Sequence, residues 1–137
     1  MPLPDPRELL HFHQQRGSEM TEKRKQTRRI AREKYDLFDT NSGEHMGVLV
    51  NMTTEGMMLF SHAPISPDSV FQLEMRLPRP FHDAERIAFG AEALWCMRAS
   101  ENGHYWTGFR IIDIADETET LLAEMIAGWS PEALSAA

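Results

Sequence analysis

Between residues 46 and 52 the chain alternates, with Met46, Val48, Val50 and Met52 on every second position. A period of two puts those side chains on one face of a strand. The same period runs through Phe71, Leu73, Met75 and Leu77, interleaved with Gln72, Glu74 and Arg76, and again through Ile87, Phe89, Ala91, Ala93 and Trp95. Asn41-Ser42-Gly43 suits a turn, which pairs the 46–52 strand with one predicted over Arg29–Phe38. Two further strands are predicted at Gly56–Ser61 and His104–Ile112, with breaks at Ser66-Pro67-Asp68, Pro78–Asp83 and Glu101-Asn102-Gly103. The total is about six antiparallel strands, each with one apolar face. A small closed barrel satisfies that pattern best, because closure leaves no strand edge exposed.

The ends of the chain read differently. Leu121, Leu122, Met125, Ile126 and Trp129 make one helical stripe after Asp116-Glu117-Thr118-Glu119, where Asp116 can cap and the glutamate three places on can complete a capping box. Gly128 is a natural stop, and Trp129 is expected to pack on the barrel. At the other end, Asp5-Pro6-Arg7-Glu8 resembles a helix start, but only Leu9, Leu10 and Phe12 follow as apolar content. Such a helix is marginal without a surface to pack on. The organisation expected is therefore a mobile or briefly helical leader over 1–22, one domain over 23–129, and a disordered tail over 130–137.

A chain of 137 residues allows one ordinary domain, and 42% hydrophobic with 26% charged residues is the balance of a globular protein. Its longest apolar runs, such as Met57–Phe60, are far too short for a membrane span, so no membrane insertion is expected. No charged region followed by an apolar stretch opens the chain, and the cytoplasm is the expected compartment. Cys96 is the single cysteine, which excludes a disulfide within the chain and any thiolate metal cluster.

Charge is distributed unevenly. The segment Lys23–Lys34 holds seven Lys or Arg and one Glu; it carries +6 and leaves −13 on the remainder of a chain whose total is −7. The negative total argues against a nucleic-acid polymer as partner, and the basic run has no aromatic residue before Tyr35 with which to stack bases.

Two motifs stand out. Arg24 to Arg28 has an RxxxR spacing, repeated from Arg28 to Arg32, and Asn51-Met52-Thr53-Thr54-Glu55-Gly56 is an NxTxxG pattern between two predicted strands. In this order they resemble the PilZ domain family, whose signature is RxxxR followed roughly 20 to 30 residues later by [D/N]xSxxG. Gly90–Cys96 resembles the family's GxVxW-type strand, and Thr107–Ile111 its GxxF-type final strand. The resemblance covers Lys23 to Gly128 and implies a six-stranded antiparallel barrel with a C-terminal helix and a flexible N-terminal arm.

It also implies a ligand, the bacterial second messenger cyclic di-GMP, which carries two phosphates and two guanines. Arginine suits both parts, since its planar fork of donors meets a phosphate or the guanine O6/N7 edge bidentately and stacks on the base. By the resemblance Arg24 and Arg28 take these roles, with Arg29 or Arg32 as additional contacts. Arg28/Arg32 is the other possible pair; Arg24/Arg28 is preferred because Arg32 is predicted inside a strand, whereas an arm can fold over a ligand. Asn51 offers a donor and an acceptor to a guanine edge, and the Thr53 hydroxyl can bond to phosphate, base or nearby backbone. Gly56 permits positive φ or a close approach to the ligand. Thr53 departs from the family's serine, keeping the hydroxyl and adding a methyl.

The expected function is that of a receptor whose arm and surface change on binding, signalling to a protein partner; the alternative is an interaction adaptor that does not bind the nucleotide. No catalysis, catalytic cofactor or metal is expected. His11 and His13 lack further ligands at suitable spacing, His45, His62, His82 and His104 accompany no nucleophile motif, and phosphate-binding glycine patterns are absent. Trp95 and Trp106 are expected on opposite strand faces as barrel packing, with Trp106 able instead to stack on a guanine. Met57 and Met58 suit either core or a partner surface.

Overall fold

The structure is a computed structural model that describes residues 28–99 and 103–131. The expected leader helix and Arg24 lie outside the described residues. Among the described residues eight strands and one helix follow in the order β1 (Arg29–Ile30), β2 (Asp36–Asp39), β3 (His45–Met52), β4 (Gly56–Ser61), β5 (Val70–Phe81), β6 (Ala84–Arg98), β7 (Tyr105–Asp113), α1 (Asp116–Ala127) and β8 (Ser130–Pro131). Neighbours run β2-β5-β6-β7-β4-β3, and β3 pairs again with β2. Six antiparallel strands therefore close into a barrel, as the alternating pattern predicts.

Period-two residues of β5 and β6 fill much of its interior. In β3 the expected set does not keep to one face, because the β3–β4 register shifts between Leu49 and Asn51, so that Leu49 and Met52 enter the core while Val50 packs with Met58 and Trp106. Leu37, Met52, Leu59, Leu73 and Met75 have no exposed surface, and Met57, Ile87, Phe89, Ala91, Ala93 and Phe109 join them. Helix α1 adds Leu122, Met125 and Ile126 to this core. Its N-cap is Ala115, with no side-chain cap; Asp116 enters as the first helical residue, and with Glu117 and Glu119 it puts negative charge where the helix dipole favours it. The capping role expected of Asp116 is thus replaced by a purely electrostatic one. Gly128 ends the helix, its N–H donating to the Met125 carbonyl at 3.2 Å. Trp129 then packs on Tyr35 with ring centroids 4.9 Å apart. Burial pushes the Tyr35 phenol above its ordinary range, opposed by a hydrogen bond to Trp129. Ser130 and Pro131, expected in the tail, pair with Ile30 and Arg29.

Three departures from simple alternation shape the surface. The strand predicted over Arg29–Phe38 is two strands. Arg29 lies opposite Met52, and Asp36 opposite Val48, so three extra residues separate β1 from β2 relative to their shared partner β3. Arg32, Glu33 and Lys34 are exposed between a hydrogen bond from Ala31 N–H to Val50 O and one from Leu49 N–H to Tyr35 O. Three consecutive charged side chains loop out into water while Tyr35 and Leu37 return to the core. Arg32 accordingly sits in a surface excursion and not within a strand.

The break expected at Pro78–Asp83 is also displaced. β5 runs on to Phe81, and the chain turns at His82 and Asp83 with φ of 50° and 68°. β2 pairs with β5 only as far as Arg76, so the prolines beyond it fall where one strand edge has no neighbour. Last, the β6–β7 register slips between Ala93 and Trp95. That bulge turns Trp95 out of the barrel, whereas strict alternation would send it in with Ala93.

Candidate functional site

Residues directly opposite one another in a sheet point to the same face, and successive residues point to opposite faces. Ile30 lies across from Asn51 and Arg29 across from Met52. The same register, carried one residue back, sets Arg28 across from Thr53. Met52 faces the core, so Arg28, Ile30, Asn51 and Thr53 share the outer face of the barrel and Arg29 turns away from them.

The chain between β3 and β4 explains the polar pattern Asn-x-Thr-x-x-Gly. Thr53 N–H donates to the Gly56 carbonyl at 2.8 Å. The Thr53 hydroxyl accepts the N–H groups of Glu55 at 3.0 Å and Gly56 at 3.2 Å, closing the turn from within and leaving its own proton to donate. Of the bonding options read from sequence, the one on view is the nearby backbone. Thr53→Val keeps the shape but deletes that acceptor, so the variant is expected to lose about 2 kcal/mol of stability in denaturant unfolding, with Thr53→Ser close to wild type.

Gly56 does not take positive φ. A Cβ there would lie 2.7 Å from the Phe109 carbonyl oxygen and 3.8 Å from Arg28 Nη1. The lack of a side chain lets β4 lie close against β7, and it also brings the Arg28 guanidinium over the turn. This is a different reason for glycine from the positive φ considered above.

Cross-strand registers extend the face beyond these residues. Gly56 pairs with Arg110, and Arg110 with Glu92, so one row across the outer face reads Arg28, Thr53, Gly56, Arg110, Glu92. The adjacent row reads Ile30, Asn51, Met58, Gly108, Trp95. Trp95 lies on Gly108, where a Cβ would fall 2.4 Å from the indole ring. Arg110 Nη2 meets Glu92 Oε1 at 2.6 Å. Met58 and Trp106 are buried in an apolar cluster separate from the core, with Ala99 beside them and Val50, Phe60 and Trp95 packed against them. Met57 belongs to the core, so the two adjacent methionines divide between the faces. Trp95 and Trp106, expected on opposite faces, share the outer one because of the bulge.

Within this face Asn51 stands out, along with the buried indole nitrogen of Trp106, equally unpartnered among the described residues. Asn51 is 1% exposed, yet neither its amide oxygen nor its amide nitrogen has a hydrogen-bond partner among the described residues. A buried carboxamide without partners is costly, and one kept in a native structure marks a place for strain, for water or an ion, or for a ligand.

Of the residues singled out from sequence, the fold brings Arg28, Asn51, Thr53 and Gly56 together. It does not bring Arg29 to them. The Arg29 guanidinium instead donates to the Trp129 carbonyl at 3.1 Å, just past the end of α1, tying the start of the barrel to its closing helix. Sequence reasoning did not single out Glu92, Arg110 or Gly108, because only the registers of β4, β6 and β7 make them neighbours of the motif. The clue available is one charged residue in the middle of each strand, Glu92 between Ala91 and Ala93 and Arg110 between Phe109 and Ile111.

The PilZ domain model of known families matches residues 22–128. The chain belongs to the PilZ domain family. Among solved structures, this PilZ chain is similar to the PilZ domain of YcgR from Escherichia coli with c-di-GMP, at 14% identity and a TM-score of 0.58 over 77% of this chain and 90% of that one. YcgR from Escherichia coli in complex with c-di-GMP gives 17% identity and 0.60 over 76% and 44%. The Bacillus subtilis inhibitor of motility MotI/DgrA gives 15% and 0.61 over 76% and 49%. The chain thus spans about half the length of MotI/DgrA and 44% of YcgR. At these identities the likeness is one of fold. No curated protein sequence matches the chain significantly. Among the described residues no helix is long and apolar enough to cross a membrane.

Proposed function

We propose that this PilZ protein is a cytoplasmic receptor for cyclic di-GMP. The observation that carries the reading is the Asn51 carboxamide, buried without a partner among the described residues, near the Arg28 guanidinium on a face built of the family's own motif. Arg28 and Arg24 supply the cationic wall, meeting phosphate oxygens and the O6/N7 edge of a guanine. Asn51 supplies a donor and an acceptor to a base edge, and the Thr53 hydroxyl proton is directed at the ligand, its lone pairs being engaged by the turn. Gly56 lets the Arg28 guanidinium lie over the turn. Arg29 is assigned to the helix anchor. The ligand-bound PilZ structures of YcgR support the same choice of ligand.

Binding would order the basic arm over the barrel, and the altered surface would be read by a protein partner, with no reaction catalysed and no catalytic cofactor needed. Calorimetric titration with cyclic di-GMP, combined with limited proteolysis around 23–32, tests this. Saturable binding of one ligand unit or a stacked pair, with protection of the arm, is expected. Absence of heat from a folded sample at high micromolar ligand would leave an adaptor that works without the nucleotide; binding with unchanged cleavage would remove the arm from the mechanism.

A further inference from the structure

A charged pair lies in line with the proposed nucleotide site, and its carboxylate is unexpected there. Arg110 stands on the strand next to Gly56, about 5 Å away by ordinary sheet spacing, and Glu92 one strand further on. The two side chains meet at 2.6 Å, with Glu92 22% and Arg110 61% exposed. A carboxylate repels a phosphate, so beside a dianion it is unfavourable unless it faces something that donates hydrogen bonds. The guanine base does. Its Watson–Crick edge presents the N1–H and N2–H donors side by side, matching the two oxygens of a carboxylate, while the adjoining O6/N7 edge presents two acceptors to a guanidinium. Because these edges adjoin on the base, Glu92 and Arg110 engage it together without separating. Trp95 lies on the same outer face in the neighbouring row, half-buried on Gly108, and provides a flat apolar surface for the base.

We infer that Glu92 and Arg110 form a guanine-reading pair, Glu92 accepting from N1–H and N2–H and Arg110 donating to O6 and N7, so that this row sets base specificity. The inference rests on the cyclic di-GMP reading above and adds to it residues outside both sequence motifs. It makes the site selective for guanine over adenine, whose corresponding edge offers one donor and one acceptor and leaves a carboxylate oxygen facing a lone pair.

The test compares cyclic di-GMP with its inosine analogue, which lacks the N2 amino group, by calorimetry on the wild type, Glu92→Gln and Arg28→Ala. Glu92→Gln is expected to weaken cyclic di-GMP roughly tenfold or more, to change the inosine analogue by less than about threefold, and so to compress the preference between them. Its thermal midpoint should stay near wild type, because an exposed cross-strand ion pair contributes little. An unchanged preference in Glu92→Gln, with Arg28→Ala having lost binding, overturns the assignment while leaving the receptor reading in place. A wild type that binds neither dinucleotide overturns both.

Discussion

Replacing Arg28 with alanine is expected to weaken cyclic di-GMP at least a hundredfold, while the same change at the adjacent Arg29 leaves binding within about threefold of wild type and lowers stability instead. The two residues are neighbours in a basic run whose charges look interchangeable. They differ because β1 pairs with β3, Ile30 opposite Asn51 and Arg29 opposite Met52. Arg28 lies on the outer face, with Nη1 close above Gly56, and Arg29 reaches the Trp129 carbonyl at 3.1 Å. A guanidinium that meets a phosphate or guanine edge makes two charge-assisted bonds, and their loss in a partly desolvated site is worth about 3 kcal/mol, two decades in Kd. The Arg29 bond to a helix-end carbonyl is worth about 1 kcal/mol, seen as a lower denaturant midpoint. Calorimetry and denaturation on both variants check the pair. Equal loss of binding in each would mean that only the net charge of the arm matters, and the facial assignment from the register would be wrong.

That contrast also shows what a sequence pattern carries. Alternation at 71–77 and 87–93 is enough to place those strands and their core residues, because a strand with one buried face has a period fixed by the pleat. At 46–52 it misleads, since Leu49 and Met52 face the core and Val50 the outside, across the register shift between Leu49 and Asn51. The stripe from Leu121 to Ile126 located the helix for the same reason. Alternation misled wherever two strands disagree in length. The slip between Ala93 and Trp95 reverses the side on which Trp95 stands, and the three-residue excursion at 32–34 lifts Arg32 out of the sheet. Both depend on partner strands distant in sequence, and one strand read alone contains no record of its neighbour's register. The candidate site divides along the same line. Asn51, Thr53 and Gly56 are close in sequence and form one turn, so their association was legible; Arg28 required only the pairing of β1 with β3. Glu92 and Arg110 meet across 18 residues and join the motif through two further registers.

A Gly56→Ala variant is expected to cost about 3 kcal/mol in stability and to lose nucleotide binding through that route and not through a missing contact. The added methyl would sit 2.7 Å from the Phe109 carbonyl oxygen, a backbone atom held in the β4–β7 ladder, where Gly56 pairs with Arg110 and Met57 with Phe109. A flexible side chain would yield; the ladder yields only by moving β4 as a whole. Met57 and Leu59, both buried on that strand, would then shift within a core that has little free space. The turn would move with them, because the Thr53 hydroxyl holds the Gly56 N–H. Asn51, opposite Met58, and Arg28, beside Gly56, would no longer converge. Binding and unfolding should therefore fall together in Gly56→Ala, whereas in Arg28→Ala binding falls and unfolding hardly changes. A Gly56→Ala protein as stable as wild type, with only its affinity lost, would show that the glycine is kept to make room for the ligand and not for the sheet.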